Sequence, residues 1–346
     1  MRVRPVSLAA PHRARTVLGV LVLLAGVSLA GCGTGTLERA RTAAAPVPAR
    51  WSAFVHVRRP LDVIGPRADG SLVLAAAGRL WVLSRTGGVK PFPGAYKSPG
   101  GEEPYIAIAP ALPGGRSCFR AGTVYALRLA APRGVSAISP TGQLRRFARI
   151  TAPGLIDGIA FDQTGRFGYR LLVTVNAGPR TTLDAIGCHG AVSAITHDAP
   201  RVEGGITVAP RTFGRFAGDL IAPDETGGRI FALGPQGQAL LVASSGLPHG
   251  NDVGVESETF IPDRRNFEVL VADRLTPGNR HPGDDVVLRI GSAALLAAGA
   301  RGSDLLVSTE GGAQTDAISC GPTNCRVLHV ADGPAIAHVE GHIAVR

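Results

Sequence analysis

Apolar positions along the chain fall into short runs of four to six residues, each bounded by Gly, Pro, Asp or Asn, the residues that permit tight reversals. Residues 201–256 show the layout most clearly. GITVAP, DLIAPD, RIFALG and ALLVAS follow one another at strand length, and Asn251-Asp252 then leads into a further apolar run. This is the pattern of one four-stranded antiparallel unit that begins again. Sustained helical periodicity is missing almost everywhere; SAALLAAGA near residue 295 reads as a short helix or equally as a strand.

An acidic residue recurs just ahead of a short strand: Asp62, Glu103, Asp157, Glu203, Asp252 and Glu340. A second strand ending in polar residues follows most of them, as in RLLVTVNAG, GDLIAPDETGG, EVLVADR and SDLLVSTEGG. Four-strand repeats of roughly 45 to 50 residues predict an all-β, six-bladed β-propeller of four-stranded antiparallel blades. The same spacing leaves five or seven blades open. A sixth unit is expected around residues 300–340, with a first strand that the pattern does not place. Pairing of the C-terminal HIAVR with a strand near Phe54-Val55-His56-Val57 is expected to close the ring and remove exposed edges.

The first thirty-one residues change the picture of where this body resides. Arg2, Arg4, Arg13 and Arg15 precede the apolar run TVLGVLVLLAGVSLA without an intervening acid, which reads as an export signal. Leu29-Ala30-Gly31-Cys32 resembles the lipobox of bacterial lipoproteins. The resemblance implies a signal peptide over 1–31 and lipidation of Cys32. It also implies anchorage to the extracytoplasmic face of the cell membrane. The small residues, Pro and charge of 32–50 read as a tether, and the repeating strands place the propeller over 51–346. Each buried acyl methylene contributes about 0.8 kcal/mol to such anchorage.

Of the formal net charge of +10, the four signal-peptide arginines are lost on cleavage, leaving +6 spread without a basic run. Nucleic acid is therefore not an expected partner. Beyond Cys32, four cysteines remain in an oxidising compartment. Cys320 and Cys325 bracket the turn-like GPTN, so the preferred of three pairings is Cys320 with Cys325 and Cys118 with Cys188. The spacing lacks the paired short knuckles of a zinc site.

DGIAFDQTGR followed by RLLVTVNAG, and DLIAPDETGGRIFALGPQGQ, resemble blades of the NHL-repeat and gluconolactonase-like six-bladed propellers. In a propeller, the residues ahead of each inner strand gather at one channel mouth, so Glu103, Asp157, Glu203, Asn251, Asp252 and Glu340 are expected to converge. An oxygen-rich nest of this kind suits Ca²⁺ or another divalent cation. The gluconolactonase resemblance implies Glu103 or Glu203 as the glutamate ligand, Asn251 as the amide, and Asp252 or Asp157 as the remaining carboxylate. The expected metal set is thus Glu103, Asp157, Glu203, Asn251 and Asp252. In Pro248-His249-Gly250-Asn251-Asp252, His249 and Asp252 are the candidate catalytic pair. Asp224-Glu225 and Glu310 read as turn residues. Asp273, Asp284 and Asp285, with Arg274, Arg280 and His281, form a polar loop that could meet a cation or an anion.

No Gly-x-Ser-x-Gly elbow, His-Glu-x-x-His pair or phosphate-cradling loop is present in the sequence. The expected function is a membrane-anchored module that binds a small molecule or a cell-surface protein. The alternative is a cation-dependent hydrolase of the gluconolactonase class acting at the channel mouth.

Overall fold

A computed structural model describes residues 46–101 and 103–346. The signal, Cys32 and most of the expected tether lie outside the described residues. At the end of that tether, β1 (Ala49–Arg50) is already paired in a sheet, and β2 (Ser52–His56) follows.

Six small sheets form a six-bladed β-propeller. Blade 1 contains β3 (Pro60–Ile64), β4 (Leu72–Ala76), β5 (Arg79–Leu83) and β6 (Val89–Pro91). Blade 2 contains β7 (Ile106–Ile108), β8 (Val124–Arg128), β9 (Gly134–Ile138) and β10 (Leu144–Arg149). Blade 3 is β11 (Leu155–Phe161), β12 (Leu171–Ala177), β13 (Arg180–Ile186) and β14 (Val192–Pro200). Blade 4 is β15 (Thr207–Val208), β16 (Leu220–Asp224), β17 (Arg229–Leu233) and β18 (Ala239–Ser244). In these four the order in the sheet follows the order in the chain, so each hairpin needs only a short turn. The turns between third and fourth strands repeat one chemistry: Gly87, Gly142 and Gly237 take φ of +89°, +87° and +84°, where a side chain would strain the backbone.

The last two blades are interleaved. After β19 (Val255–Phe260), the inner strand of blade 5, the chain crosses into blade 6 to form β20 (Glu268–Asp273) and β21 (Val286–Gly291). The short helix α1 (Ser292–Ala297) resolves the SAALLAAGA ambiguity in favour of helix. The chain then returns to blade 5 as β22 (Leu305–Thr309), β23 (Thr315–Cys320) and β24 (Cys325–Asp332), before β25 (Val339–Val345) becomes the inner strand of blade 6. The expected sequential sixth repeat is therefore replaced. Residues 305–332 complete blade 5, whose first strand lies some fifty residues earlier.

Ring closure also differs from the expectation. The C-terminal strand pairs with β20, the N-terminal β2 pairs with β21, and the internal hairpin lies between them. Blade 6 thus joins β2 and the C-terminal strand in one sheet, while β1 stands on the edge of blade 5. β1 adds a parallel edge to β24, and the buried Trp51 donates its indole N–H to Thr315 Oγ1 at 2.8 Å.

Apolar faces of adjacent blades pack on one another and fill the space between them. Between blades 2 and 3, Phe119 and Tyr125 meet Phe161 edge-on, with ring centroids 5.0 and 5.4 Å away. The disulfide Cys118–Cys188 ties these same two blades, and Cys320–Cys325 closes the β23–β24 turn. Both pairings are the preferred ones.

Candidate functional site at the acidic channel mouth

The inner strands all start at one mouth of the central channel, and antiparallel pairing brings the ends of the second strands to the same place. Two sets of side chains converge there. Inner-strand starts supply Glu103, Tyr105, Asp157, Glu203, Glu256 and Glu340, while second-strand ends supply Asn176, Glu225, Arg274 and Glu310.

Tyr105, fully buried, forms the floor. Its hydroxyl donates to Glu256 and lies 2.9 Å from Glu340 Oε2. Carboxylate oxygens of Glu103, Glu256 and Glu340 lie within 4.8 Å of one another. Three negative charges at that spacing, away from water, repel strongly. Burial, reinforced by Glu340 and other neighbouring acids, raises both Glu103 and Glu256 well above the ordinary carboxylate range.

Glu340 also belongs to a second group with Glu310 and His338. His338 Nε2 is 3.0 Å from Glu310 Oε1 and 3.2 Å from Glu340 Oε1, and Arg274 Nη1 is 3.1 Å from the latter atom. Neither cation is aligned for a hydrogen bond to Glu340 Oε1, which is left buried without one. Burial alone would depress the imidazole, but its two glutamate partners outweigh that and hold His338 up at about 10.

Around this centre, Asp157 accepts from Asn176 Nδ2 at 2.6 Å and from the Gly204 amide at 3.1 Å. Burial first, and Glu203 second, push Asp157 up to about 8. Glu225 is likewise raised to about 8, by burial and then by Glu310 and Glu203. Glu203 is paired with Arg201 through one oxygen, and its Oε2 is buried without a hydrogen-bond partner. The approach of the chains depends on glycine. At Gly204, with φ +73°, an added Cβ would stand 2.2 Å from Glu256 Cγ.

The channel is closed beneath the acids by β25. His342 Nδ1 is 3.1 Å from Asp62, its Nε2 is 3.0 Å from the Ile159 carbonyl, and a Cβ on Gly205 would strike the Gly341 carbonyl at 2.4 Å. The mouth is therefore a basin rather than a pore. Beside it a recess of about 620 Å³ opens on the same face, with Arg58, Arg59, Arg79 and Arg274 in its walls.

Among the sequence candidates, Glu103, Asp157, Glu203 and Glu340 converge on the basin. Asp252 is exposed at the rim, where its charge acts on Glu225 and Glu310. Asn251 is exposed and accepts from Thr226 Oγ1 at 3.3 Å, and His249 is exposed beside Gly228 of blade 4. These three are exposed, apart from the carboxylate group of half-buried Glu103 with buried Glu256 and Glu340. Glu225 and Glu310, read as turn residues, line the basin; Asp224 does serve its turn, accepting from the Gly227 amide at 3.0 Å. Glu256, Tyr105 and His338 escaped the sequence reading. For Glu225 and Glu310 the usable signal was the antiparallel geometry, since a polar residue ending a second strand must sit beside the start of an inner strand. Glu256, Tyr105 and His338 lie at or just ahead of inner-strand starts, where a short apolar run marks the position but not the partner.

No protein-family model matches the chain, and no curated protein matches it in sequence. Among solved structures it is similar to a streptogramin B lyase, at 14% identity over 81% of this chain and 87% of that one, with a TM-score of 0.43. It is also similar to virginiamycin B lyase from Staphylococcus aureus, at 13% identity over 79% and 84%, with a TM-score of 0.43. A protein provisionally described as a gluconolactonase aligns at 10% identity over 87% and 95%, with a TM-score of 0.46. The blades and the basin rest on this chain's own strand pairing and side-chain geometry.

Proposed function

We propose that this protein is a lipid-anchored, extracytoplasmic propeller that holds a divalent cation of the Ca²⁺ type at its acidic mouth and there binds a small anionic ligand. The observation that carries the reading is the convergence of Glu103, Glu256 and Glu340 oxygens within 4.8 Å, more carboxylate charge than the ion pairs of Arg274 and His338 with Glu340 balance. Hard cations take clustered carboxylate oxygens, and a 2+ charge offsets the burial and repulsion that hold Glu103 and Glu256 above the ordinary carboxylate range. The donor set fits such an ion: Glu103, Glu256 and Glu340 would hold it, with Tyr105 fixing two of the three. Arginines of the adjoining recess supply the complement for an anionic group on the ligand.

Calorimetric titration of the purified full chain with Ca²⁺, Mg²⁺ and Mn²⁺ tests the cation. The expected result is one ion per chain, with affinity reduced about tenfold or more in Glu256→Gln, the loss of one charged ligand. No binding, or unchanged affinity in that variant, sinks the assignment. The anchor is tested separately. Cys32→Ala should move the protein from the membrane fraction to the soluble one, and unchanged retention would remove the lipid. Among the described residues no helix is long and apolar enough to cross a membrane.

A second reading, a cation-dependent hydrolase, is favoured by one observation. The buried His338, held protonated against Glu310, stands beside the carboxylates where it can deliver a proton to a leaving oxygen. Turnover of lactones or esters that is lost in His338→Gln while cation binding persists would establish it.

A further inference from the structure

The opposite end of the channel carries a second feature that the acidic mouth does not account for. A pocket of about 500 Å³ opens where the inner strands end. Its walls include Ile108, Phe161, Val208 and Phe260, one from each of four consecutive blades. His342 lies on its channel side, so the β25 plug separates it from the basin. None of the acids of the other mouth lines it.

Among these walls, which mix apolar side chains with polar ones such as Gln163, Thr164 and Thr259, is one carboxyl group. Glu258, on β19, is 1% exposed. Its Oε1 accepts the Thr207 amide at 3.1 Å, and its Oε2 is buried without any hydrogen-bond partner. A buried polar atom left without a partner has lost its hydration and gained no hydrogen bond in return. Native structures rarely keep one without a ligand, water or functional reason. Two neighbouring cations are already engaged elsewhere: Arg211, at the exposed rim, donates to the Thr164 carbonyl at 2.7 Å, and His342 is held between Asp62 and Ile159.

We infer that this pocket is a second binding site, for a small primary amine with an apolar body, whose ammonium group pairs with Glu258 Oε2. The apolar part of the walls, Ile108, Phe161, Val208 and Phe260, takes the hydrocarbon body and removes its surface from water. The amine supplies both the donor that Oε2 lacks and the charge that allows a carboxyl to ionise away from water. Burial holds the empty Glu258 well above the ordinary carboxylate range, against the opposing pull of the Thr207 amide. Pairing with an ammonium therefore releases the carboxyl proton to solvent.

Calorimetry on the full chain with hexylamine and benzylamine, against hexanol and benzyl alcohol, tests the inference. The amines should bind with dissociation constants of roughly 0.1–10 mM, and the matched alcohols about tenfold or more weaker. Glu258→Gln, which keeps an acceptor for the Thr207 amide, should weaken amine binding by about tenfold or more. It should leave Ca²⁺ titration at the other mouth unchanged, so the two sites fail separately. Equal affinity for amine and alcohol, unchanged affinity in Glu258→Gln, or no amine binding overturns the inference. Should Glu258→Gln fold poorly, Val208→Phe serves instead. It narrows the pocket from a half-buried position, must weaken both amines, and overturns the inference if it does not.

Discussion

His342 and Asp62, 280 residues apart in the chain, meet across the channel axis with His342 Nδ1 3.1 Å from the Asp62 carboxylate. The other ring nitrogen is 3.0 Å from the Ile159 carbonyl, so both nitrogens face acceptors and both carry protons. Burial opposes the charge, but Asp62 outweighs it and raises the imidazole above its ordinary value. This contact joins blade 6 to blades 1 and 3 and seals the basin from below.

Asp62→Asn removes the charge while keeping the shape. His342 is then a buried cation without its counter-ion, and a loss of about 3 kcal/mol in unfolding free energy is expected. Because the folded imidazole titrates higher than the unfolded one, its contribution is fully present below about pH 6.5 and fades as pH rises through the folded value. Chemical denaturation at several pH values should show this component in the parent and not in Asp62→Asn.

Asp157 and Glu225, both raised to about 8, predict a second pH dependence of the same sign. Between about pH 4 and 8 the folded state binds protons that the unfolded state has released, so stability falls as pH rises across that window. In chelator, Tm should drop by several degrees from pH 5 to pH 8, and Asp157→Asn should flatten the slope. A Tm that rises over this range would contradict the buried-acid reading of the basin.

Gly204→Ala tests the close packing that brings the acids together. Its φ of +73° strains any side chain, and the added Cβ meets Glu256 Cγ at 2.2 Å, so both effects act in one direction. A loss of about 1–3 kcal/mol is expected in denaturant titration, with weaker cation binding because Glu256 must shift. Gly100→Ala, also at positive φ but with no atom within 4 Å of the new carbon, isolates the strain from the clash.

The two disulfides should contribute unequally. Cys118–Cys188 closes 70 residues and Cys320–Cys325 only 5, so chain entropy favours the former, about 4 against about 2 kcal/mol. Replacing Cys118 and Cys188 together by alanine should lower the denaturation midpoint more than replacing Cys320 and Cys325.

Period-two strands, turn glycines and the recurrence of acids determined the repeat class and the polarity of the mouth, and favoured six blades while leaving five or seven open. Those are local properties, since each hairpin can be read within some fifteen residues of chain. The turn around GPTN likewise brought Cys320 to Cys325 without reference to the rest. The arrangement of the last two blades was not local. Whether 305–332 pairs with its own preceding strand or with β19 depends on which unpaired edges remain when the ring closes, and no short stretch encodes that. The membership of the basin followed from the same fact. Glu103, Asp157 and Glu203 were visible as blade starts, whereas Glu256, Glu310 and His338 became neighbours of Glu340 only when interleaving set β19, the end of β22 and the start of β25 side by side. Burial, which raises Glu103, Glu256 and Asp157, and the two glutamates that outweigh burial at His338 both belong to the packed assembly. A sequence supplies the groups, and only the tertiary structure removes the water around them.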